Sequence, residues 1–387
     1  MSRIDELIAQ HCPDGVERKP LGAIADLYRG NGLQKKDFTD NGVGCIHYGQ
    51  IYTRYGTFAT KTISFVDEDL AAKLLKVHPN DLIVTATSEN LEDVCKTVAW
   101  LGDTDIVTGG HSIVVRHHQN AKYLAYYFQT RDFFQAKRAY VHGTKVMEIK
   151  KDDLAKIIVP VPPLPVQEEI VRILDSFSAL EAELEAELEA RRKQYAHYRD
   201  ELLKFDRERV PWLKLADVSF INKGTYITQK QVIPGNIPVI LGGVEPAYWH
   251  SESNHDGEGI VVSRSGANAG FVSYWNEPIF VSDGFVLDTK EGIDTRFLFH
   301  ALKAQQTKLH SMKRGSGVPH VNSKMLANDV IIPAPPIEEQ LRIVSILDRF
   351  DKLANDLTDG LPAEIEARRK QYEYYRNRLL SFDELAA

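Results

Sequence analysis

An α+β fold is predicted: two mixed α/β globules separated by a long antiparallel two-helix coiled coil, the whole carrying an internal pseudo-twofold repeat. Three observations predict it. A proline-rich stretch that leads into a helix is written twice, from Pro160 to Phe177 and from Pro333 to Phe350, with Gln167 and Gln340, and Asp175 and Asp348, at one offset of 173 residues. Further on, the seven letters Glu189 to Tyr195 recur unchanged as Glu366 to Tyr372, now at an offset of 177. Ahead of each copy the text is mostly strands and loops, and its ends agree: Gly143, Val146, Ile149 and Leu154 match Gly315, Val318, Val321 and Leu326 at 172. The expected segments are an N-terminal stretch and first globule over 1–159, a first repeated helix over 160–206, a second globule over 207–332 and a second repeated helix over 333–387.

The repeated segments are helical for local reasons. Their prolines cannot continue a preceding element, and beyond them the apolar residues, Ile170, Ile173, Leu174 and Phe177 onward to Leu202 and Phe205, keep helical spacing. This narrow seam on a helix rich in Glu, Arg, Lys and Ala seeks one partner helix, and the other copy is the obvious one. From Pro165 to Phe205 the helix would span roughly 60 Å at 1.5 Å per residue. A helical hairpin within a single globule is the alternative. The copies differ where Leu180 to Ala190 repeats a Leu-Glu-Ala-Glu unit, whereas Asp359-Gly360-Leu361-Pro362 must break or bend the second helix.

Within the first globule, Ile4 to Ala9 is amphipathic and Pro13-Asp14-Gly15 is a turn. Cys45 to Gly56 alternates aromatic and polar residues, Asp81 to Ser88 reads as a strand running into a polar loop, and Ile106-Val107 with Val114-Val115 as a strand pair. Tyr123 to Tyr140 has helical spacing. In the second globule Gly259 to Gly266 and Ile279 to Leu287 take the places of the 81–88 and 106–114 stretches, and Phe297 to Met312 supplies the helix. Tyr48, Trp100 and Trp275 are expected in the core, and the aromatic ends Tyr195, Tyr198 and Phe205, with Tyr372, Tyr375 and Phe382, between helices and globules.

With 387 residues, 43% of them hydrophobic, two or three domains are expected. No signal-peptide pattern opens the sequence and no apolar run approaches the roughly 20 residues of a membrane span, so a cytoplasmic protein is expected. Cys12, Cys45 and Cys95 are odd in number and scattered, which suits reduced thiols. The net charge of −7 sits in the repeated helices: six Lys/Arg face eleven Asp/Glu over 160–206, and eight face eleven over 333–387, so the globules are nearly neutral and free to present basic faces.

Catalysis is not expected of this chain. It has no phosphate-binding G-x-x-x-x-G-K-[ST], H-E-x-x-H, G-x-S-x-G or Asn/Asp-Pro-Pro-aromatic motif. Pro13-Asp14 with Glu17-Arg18-Lys19 imitates a metal-dependent nuclease layout, but too few residues intervene to put those groups on adjacent strands. His117-His118 reads as a solvated turn. No metal site is expected.

The order of variable globule, proline-rich helix and Ala-Arg-Arg-Lys-Gln-Tyr, twice over, resembles the specificity subunit of type I restriction-modification systems. The likeness covers nearly the whole chain and is most specific at Pro162 to Phe177 with Glu189 to Phe205, and at Pro335 to Phe350 with Gly360 to Phe382. It implies that residues about 20–155 and 210–330 are target recognition domains, each reading half of a split double-stranded DNA target. It implies further that the repeated helices set their separation and dock two modification (methyltransferase) subunits that bring S-adenosylmethionine and methylate adenine. Restriction motor-nuclease subunits using ATP and magnesium would join for cleavage, and this chain would hold no cofactor itself.

Within such domains, Arg, Lys, Asn, Gln, Ser and Thr read base edges, while Lys and Arg also hold phosphates. The candidates are Lys35 and Lys36 for phosphate, with Gln50, Tyr52, Arg54, Thr87, Ser88 and Asn90 for the groove. In the second domain they are Lys223, Thr225, Tyr226, Arg264, Ser265, Asn268, Lys313 and Arg314, with glycines 266, 270, 315 and 317 allowing close approach. The clusters Arg191-Arg192-Lys193 and Arg368-Arg369-Lys370 either pair with Glu on their own helix or face DNA or a partner. Two alternatives stay open: the recognition subunit of a type II system whose partner fuses methylase and nuclease, and a coiled-coil adaptor that binds proteins.

Overall fold

Leu164–Leu202 is one uninterrupted α-helix of 39 residues. Pro165 sits in its first turn, where a missing N–H costs nothing. The second copy is two helices, Ile337–Asn355 and Leu361–Leu379, interrupted where Asp359-Gly360-Leu361-Pro362 predicts a break. At Gly360 an added Cβ would stand 2.6 Å from the Lys352 carbonyl oxygen, so the chain turns too tightly there for another residue. The computed structural model describes residues 2–242, 245–315, 317–356 and 359–383. The last four residues of the expected 333–387 segment, and Leu357 and Thr358 within it, lie outside the described residues.

The chain forms two compact units, Met1–Glu183 with Glu366–Ala387, and Leu184–Ile365. In the first, a five-stranded sheet has the order Ala25–Arg29, Ser112–His117, Leu82–Thr85, Thr97–Trp100, Phe58–Ala59, and a four-stranded sheet the order Ser64–Val66, Val43–Ile46, Ile106–Thr108, Leu75–Val77. Leu82–Thr85 and Thr97–Trp100 are buried throughout, as a central strand's unbroken apolar run requires. The helices Ala121–Tyr127 and Arg131–Arg138 pack on them, with Tyr123, Tyr126, Tyr127 and Phe133 in the core. The 123–140 stretch is thus two helices, because the Thr130 side chain accepts from the Phe133 N–H and starts a new one.

The second unit repeats this plan. Its four-stranded sheet runs Ser219–Lys223, Gly284–Thr289, Glu258–Ser263, Val272–Asn276, and Phe280–Val281 pairs in parallel with Ile237–Ile240 in a three-stranded sheet. Ile106–Thr108 pairs in parallel with Val43–Ile46 in the same way. In both units a short antiparallel pair ties the start of the globule to the proline-rich stretch: Arg18–Pro20 with Ile158–Pro160, and Trp212–Lys214 with Ile331–Pro333.

Each unit also packs one copy of the repeated helix against the other. In the first, Phe177 stacks on Tyr375 with ring centroids 5.5 Å apart, and Glu181, further along, meets the earlier Arg369 at 2.6 Å, so the two helices run antiparallel. In the second, Phe350 stacks on Tyr198 at 5.3 Å. Tyr198 and Tyr375 therefore join helix to helix, not helix to globule as their position at the aromatic ends suggests. Tyr195 does reach the globule, its hydroxyl 3.0 Å from His300 Nδ1. Arg191, Lys193 and Lys370 pair with Glu187, Glu189 and Glu366 four residues back on their own helix.

Three readings need correction. Only Cys45 and Ile46 of the alternating 45–56 stretch are strand, as the end of Val43–Ile46; Tyr48–Thr53 is a helix, because the His47 and Gln50 side chains cap it reciprocally. Ile106–Thr108 and Ser112–His117 do not pair with each other but enter different sheets. His117 is not solvated: it ends a central strand, buried, and burial pushes its imidazole down to about 4. Trp100 is core and Trp275 half-buried, whereas half-buried Tyr48 lies between two histidine rings.

Candidate nucleic-acid interface

In the first unit, strand Leu82–Thr85 delivers the chain to a polar turn. Thr87 and Ser88 pair with Glu148 and Met147, which brings the 143–146 loop beside that turn. Asn90 shapes it: its amide donates to Asp93 Oδ2 at 2.9 Å and its carbonyl oxygen accepts from the Asp93 N–H at 2.8 Å. Against it stands the helix Tyr48–Thr53. The Gly49 N–H donates to His47 Nδ1 at 3.1 Å, the Gln50 oxygen accepts from the His47 N–H at 3.0 Å, and the Gln50 amide reaches Ser64 Oγ at 2.7 Å. The Tyr52 hydroxyl donates to the Thr87 carbonyl, and Thr87 Oγ1 lies 2.8 Å from His111 Nδ1. Tyr48 is flanked by His47 and His111, with centroids at 4.4 and 4.7 Å.

Burial, reinforced by Lys35 and His111, pushes the His47 imidazole below its ordinary value, so it is a neutral acceptor cap. Lys35 and Lys36 project from an exposed 3₁₀ turn, Lys35–Asp37, and Arg54 from the exposed end of the 48–53 helix. Bonds therefore tie Gln50, Tyr52, Thr87, Ser88 and Asn90 into one patch, with Lys35 against its histidine. His47, His111 and Tyr48 belong to the patch although sequence reasoning did not nominate them. His111 lies 24 residues from Thr87, and no local pattern announces that contact.

In the second unit the organiser is Asp283. Its carboxylate accepts from Ser265 Oγ at 3.1 Å and from the Arg264 guanidinium at 3.5 Å, while its carbonyl accepts from the Arg264 N–H. The Thr225 N–H donates to the Val281 carbonyl and the Ile227 N–H to Ser282 Oγ, so the Lys223–Tyr226 stretch runs along the same segment. Tyr226 is 75% exposed. Lys313 Nζ donates to the Ala267 carbonyl at 2.5 Å, and both Ser265 and Arg314 bridge to His320. Asn268 is exposed on the intervening turn. Asp283 and His320 are the organisers that sequence reasoning missed.

Among the described residues no group of three or more His, Cys, Asp or Glu is placed to hold a metal. Burial pushes the Cys45 and Cys95 thiols up to about 12, which suppresses the nucleophilic thiolate. Of the imitation nuclease cluster, Lys19 pairs with Glu17 at 2.9 Å and Arg18 donates to the Phe382 carbonyl. What the patches present is hydrogen-bonding side chains and cations on turns held by internal hydrogen bonds.

A family model described as the type I restriction modification DNA specificity domain matches residues 13–190 and again 210–367, one match for each globule with its helix. The chain belongs to the type I restriction-modification DNA specificity family. It is 37% identical over 256 residues to the EcoR124I/EcoR124II type I restriction enzyme specificity subunit of Escherichia coli, a match covering 59% of this chain and 63% of that protein's length. A Haemophilus influenzae protein named as a type I restriction enzyme specificity subunit is 32% identical over 297 residues, 70% of this chain and 75% of the relative. Two solved structures share the fold at 17% identity. The S subunit of a type I restriction-modification system from M. genitalium has a TM-score of 0.59, covering 94% of this chain and 96% of its own. A structure from work on complex assembly and conformational transition of the type I system has 0.60, covering 95% and 98%. No helix among the described residues of this family member is long and apolar enough to cross a membrane.

Proposed function

We propose that this chain is the non-catalytic, DNA-reading subunit of a cytoplasmic adenine-methyltransferase complex. Its globules, about 20–155 and 210–330, each read one half of a split duplex target, and the repeated helices pair as an antiparallel coiled coil that fixes the gap. Two modification subunits dock on it and supply S-adenosylmethionine; restriction subunits using ATP and magnesium add cleavage. The sixteen nominated side chains contact phosphates and base edges.

The observation that carries this reading is the family match falling twice, once on each globule with its helix. The two patches support it: their frames agree while their letters differ, as two readers of different text require. The stacks Phe177–Tyr375 and Phe350–Tyr198 support the coil and the repeat. The test is selection from a random duplex library by the chain with its modification subunit, followed by mapping of methylated adenines. A split motif is expected; no enrichment would favour a protein-binding adaptor. Deleting Leu184 to Glu187 removes about 6 Å of helix against 3.4 Å per base pair, so the unspecified gap should shorten by one to two base pairs. An unchanged gap would remove the ruler.

A further inference from the structure

At the closing edge of each globule, four positions match at one offset, and three of them are aliphatic. Ile149 and Val321 are 0% and 1% exposed, and Leu154 and Leu326 are both 0%. The third pair does the opposite: Val146 is 61% exposed and Val318 69%. A single exposed valine is ordinary on a protein surface. The same aliphatic letter kept outside at the same register in both globules, where the surrounding polar letters differ, is not explained by the core.

Both valines are presented in the same way. Each follows a left-handed glycine, Gly143 (φ 101°) or Gly315 (φ 112°), in a hairpin closed by paired backbone bonds, His142 with Glu148 and Arg314 with His320. At Gly143 a Cβ would stand 2.2 Å from the Val146 carbonyl oxygen, so only glycine lets the loop close this tightly. Each hairpin lies beside the nominated reading turn, through Met147 paired with Ser88 and through His320 bridged to Ser265. Each hairpin also carries cations: exposed Lys145 precedes Val146 in the first unit, and Lys313 with exposed Arg314 stands at the base of the hairpin in the second. An apolar tip on a hairpin that also carries cations suits a polyanion that offers an apolar feature in a groove. The side chains that wedge between base steps are longer or flatter than valine; the thymine C5-methyl in the major groove needs only a short aliphatic partner.

We infer that Val146 and Val318 are specificity-determining residues that each lay their isopropyl group on a thymine methyl, one in each half-site. The inference rests on the DNA-reading function proposed above. It is tested on the full chain with its modification subunits, using the duplex selected from the random library and replacing each thymine in turn by deoxyuridine, which removes only the methyl. In the unaltered protein at least one replacement per half-site should weaken binding about three- to tenfold, the scale of one buried methyl. Val146→Ser should abolish that sensitivity in one half-site only and Val318→Ser in the other, with the salt dependence of binding unchanged. Val146→Thr and Val318→Thr, which keep one methyl, should retain part of it and serve as controls for folding. A target with no deoxyuridine-sensitive thymine, or serine variants that keep the full penalty, overturns this inference and leaves the DNA reading standing. Failure of the library to yield any enriched duplex overturns both.

Discussion

The two joints at which a globule meets the repeated helix use one frame and different chemistry. In the first unit, buried Gln167 accepts from the Asn120 N–H at 3.0 Å and donates to the Pro162 carbonyl at 2.7 Å and to Gln119 Oε1 at 2.8 Å. In the second, buried Gln340 accepts from the Asp294 N–H at 2.9 Å and donates to the Pro335 and Gly292 carbonyls at 2.8 and 2.9 Å. Eight residues later the helix offers an aspartate. Asp175 takes Lys122 and the Tyr126 hydroxyl, both at 2.6 Å, whereas Asp348 takes Arg296 at 2.5 Å and the fully buried His300 at 2.7 Å. The difference teaches that the helix supplies a fixed amide and a fixed carboxylate, and that each globule answers them with whatever donors and acceptors have the right reach.

Breaking the shared element should have the largest effect. Gln167→Leu and Gln340→Leu each strand a buried backbone N–H and carbonyl, and should cost about 3–5 kcal/mol apiece, within about 1 kcal/mol of each other. Urea unfolding with hydrogen exchange resolved to each unit checks this, and one tolerant unit would break the equivalence.

The aspartates should separate the units. Asp348→Ala leaves a buried imidazole without its carboxylate and the Arg296 guanidinium with Asp351 alone, and should cost about 3 kcal/mol, while Asp175→Ala, which leaves an amine and a hydroxyl, should cost about 2. The same measurement applied to both variants gives the order; equal losses would show that the donor chemistry is immaterial.

Acid should tell them apart as well. His117 in the first unit has a folded value lowered to about 4 from an ordinary 6.5, so the unfolded chain takes the proton first and stability falls between those limits as the pH drops, by about 2–3 kcal/mol. In the second unit burial works against the Asp348 charge, but hydrogen bonds from His300 and Arg296 outweigh it and hold the carboxyl below its ordinary value. Its contribution is present above the ordinary carboxylate range and is lost only as the pH falls through that lowered value. The first unit should therefore loosen earlier, near pH 5, and His117→Asn, which keeps an acceptor for the Gln119 N–H, should flatten its acid slope. Exchange rates of the 111–120 amides against pH are the readout.

The smallest effect is expected at the two ring stacks. Phe177→Leu and Phe350→Leu keep apolar volume and lose only the aromatic pairing, about 1 kcal/mol each. Unequal losses would show that the stacks at 5.5 and 5.3 Å are not equivalent in the two units.

Much of the fold was legible because it is local. The proline clusters, the helical spacing from Ile170 onward, the break at Gly360 and the buried run Leu82–Thr85 each follow from a few neighbouring letters. The candidate site was legible only as a set of turns. Gln50, Asn90, Ser265 and Lys313 were nominated for their donors, yet each makes a bond within its own globule that depends on where the chain returns. The alternation over 45–56 suggested extended chain, and the cap formed by His47 and Gln50 prevailed over it.

The sequence by itself determined the duplicated plan, the helices and their interruption, since repeats and periodicity are properties of letters at fixed separations. Only the tertiary structure decided which donors meet Asp175 and Asp348, that His117 is buried, that His111 completes the patch around Thr87, and that Val146 and Val318 stay outside. Those outcomes depend on residues tens of positions apart being packed together, and burial and pairing energies exist only once that packing has formed.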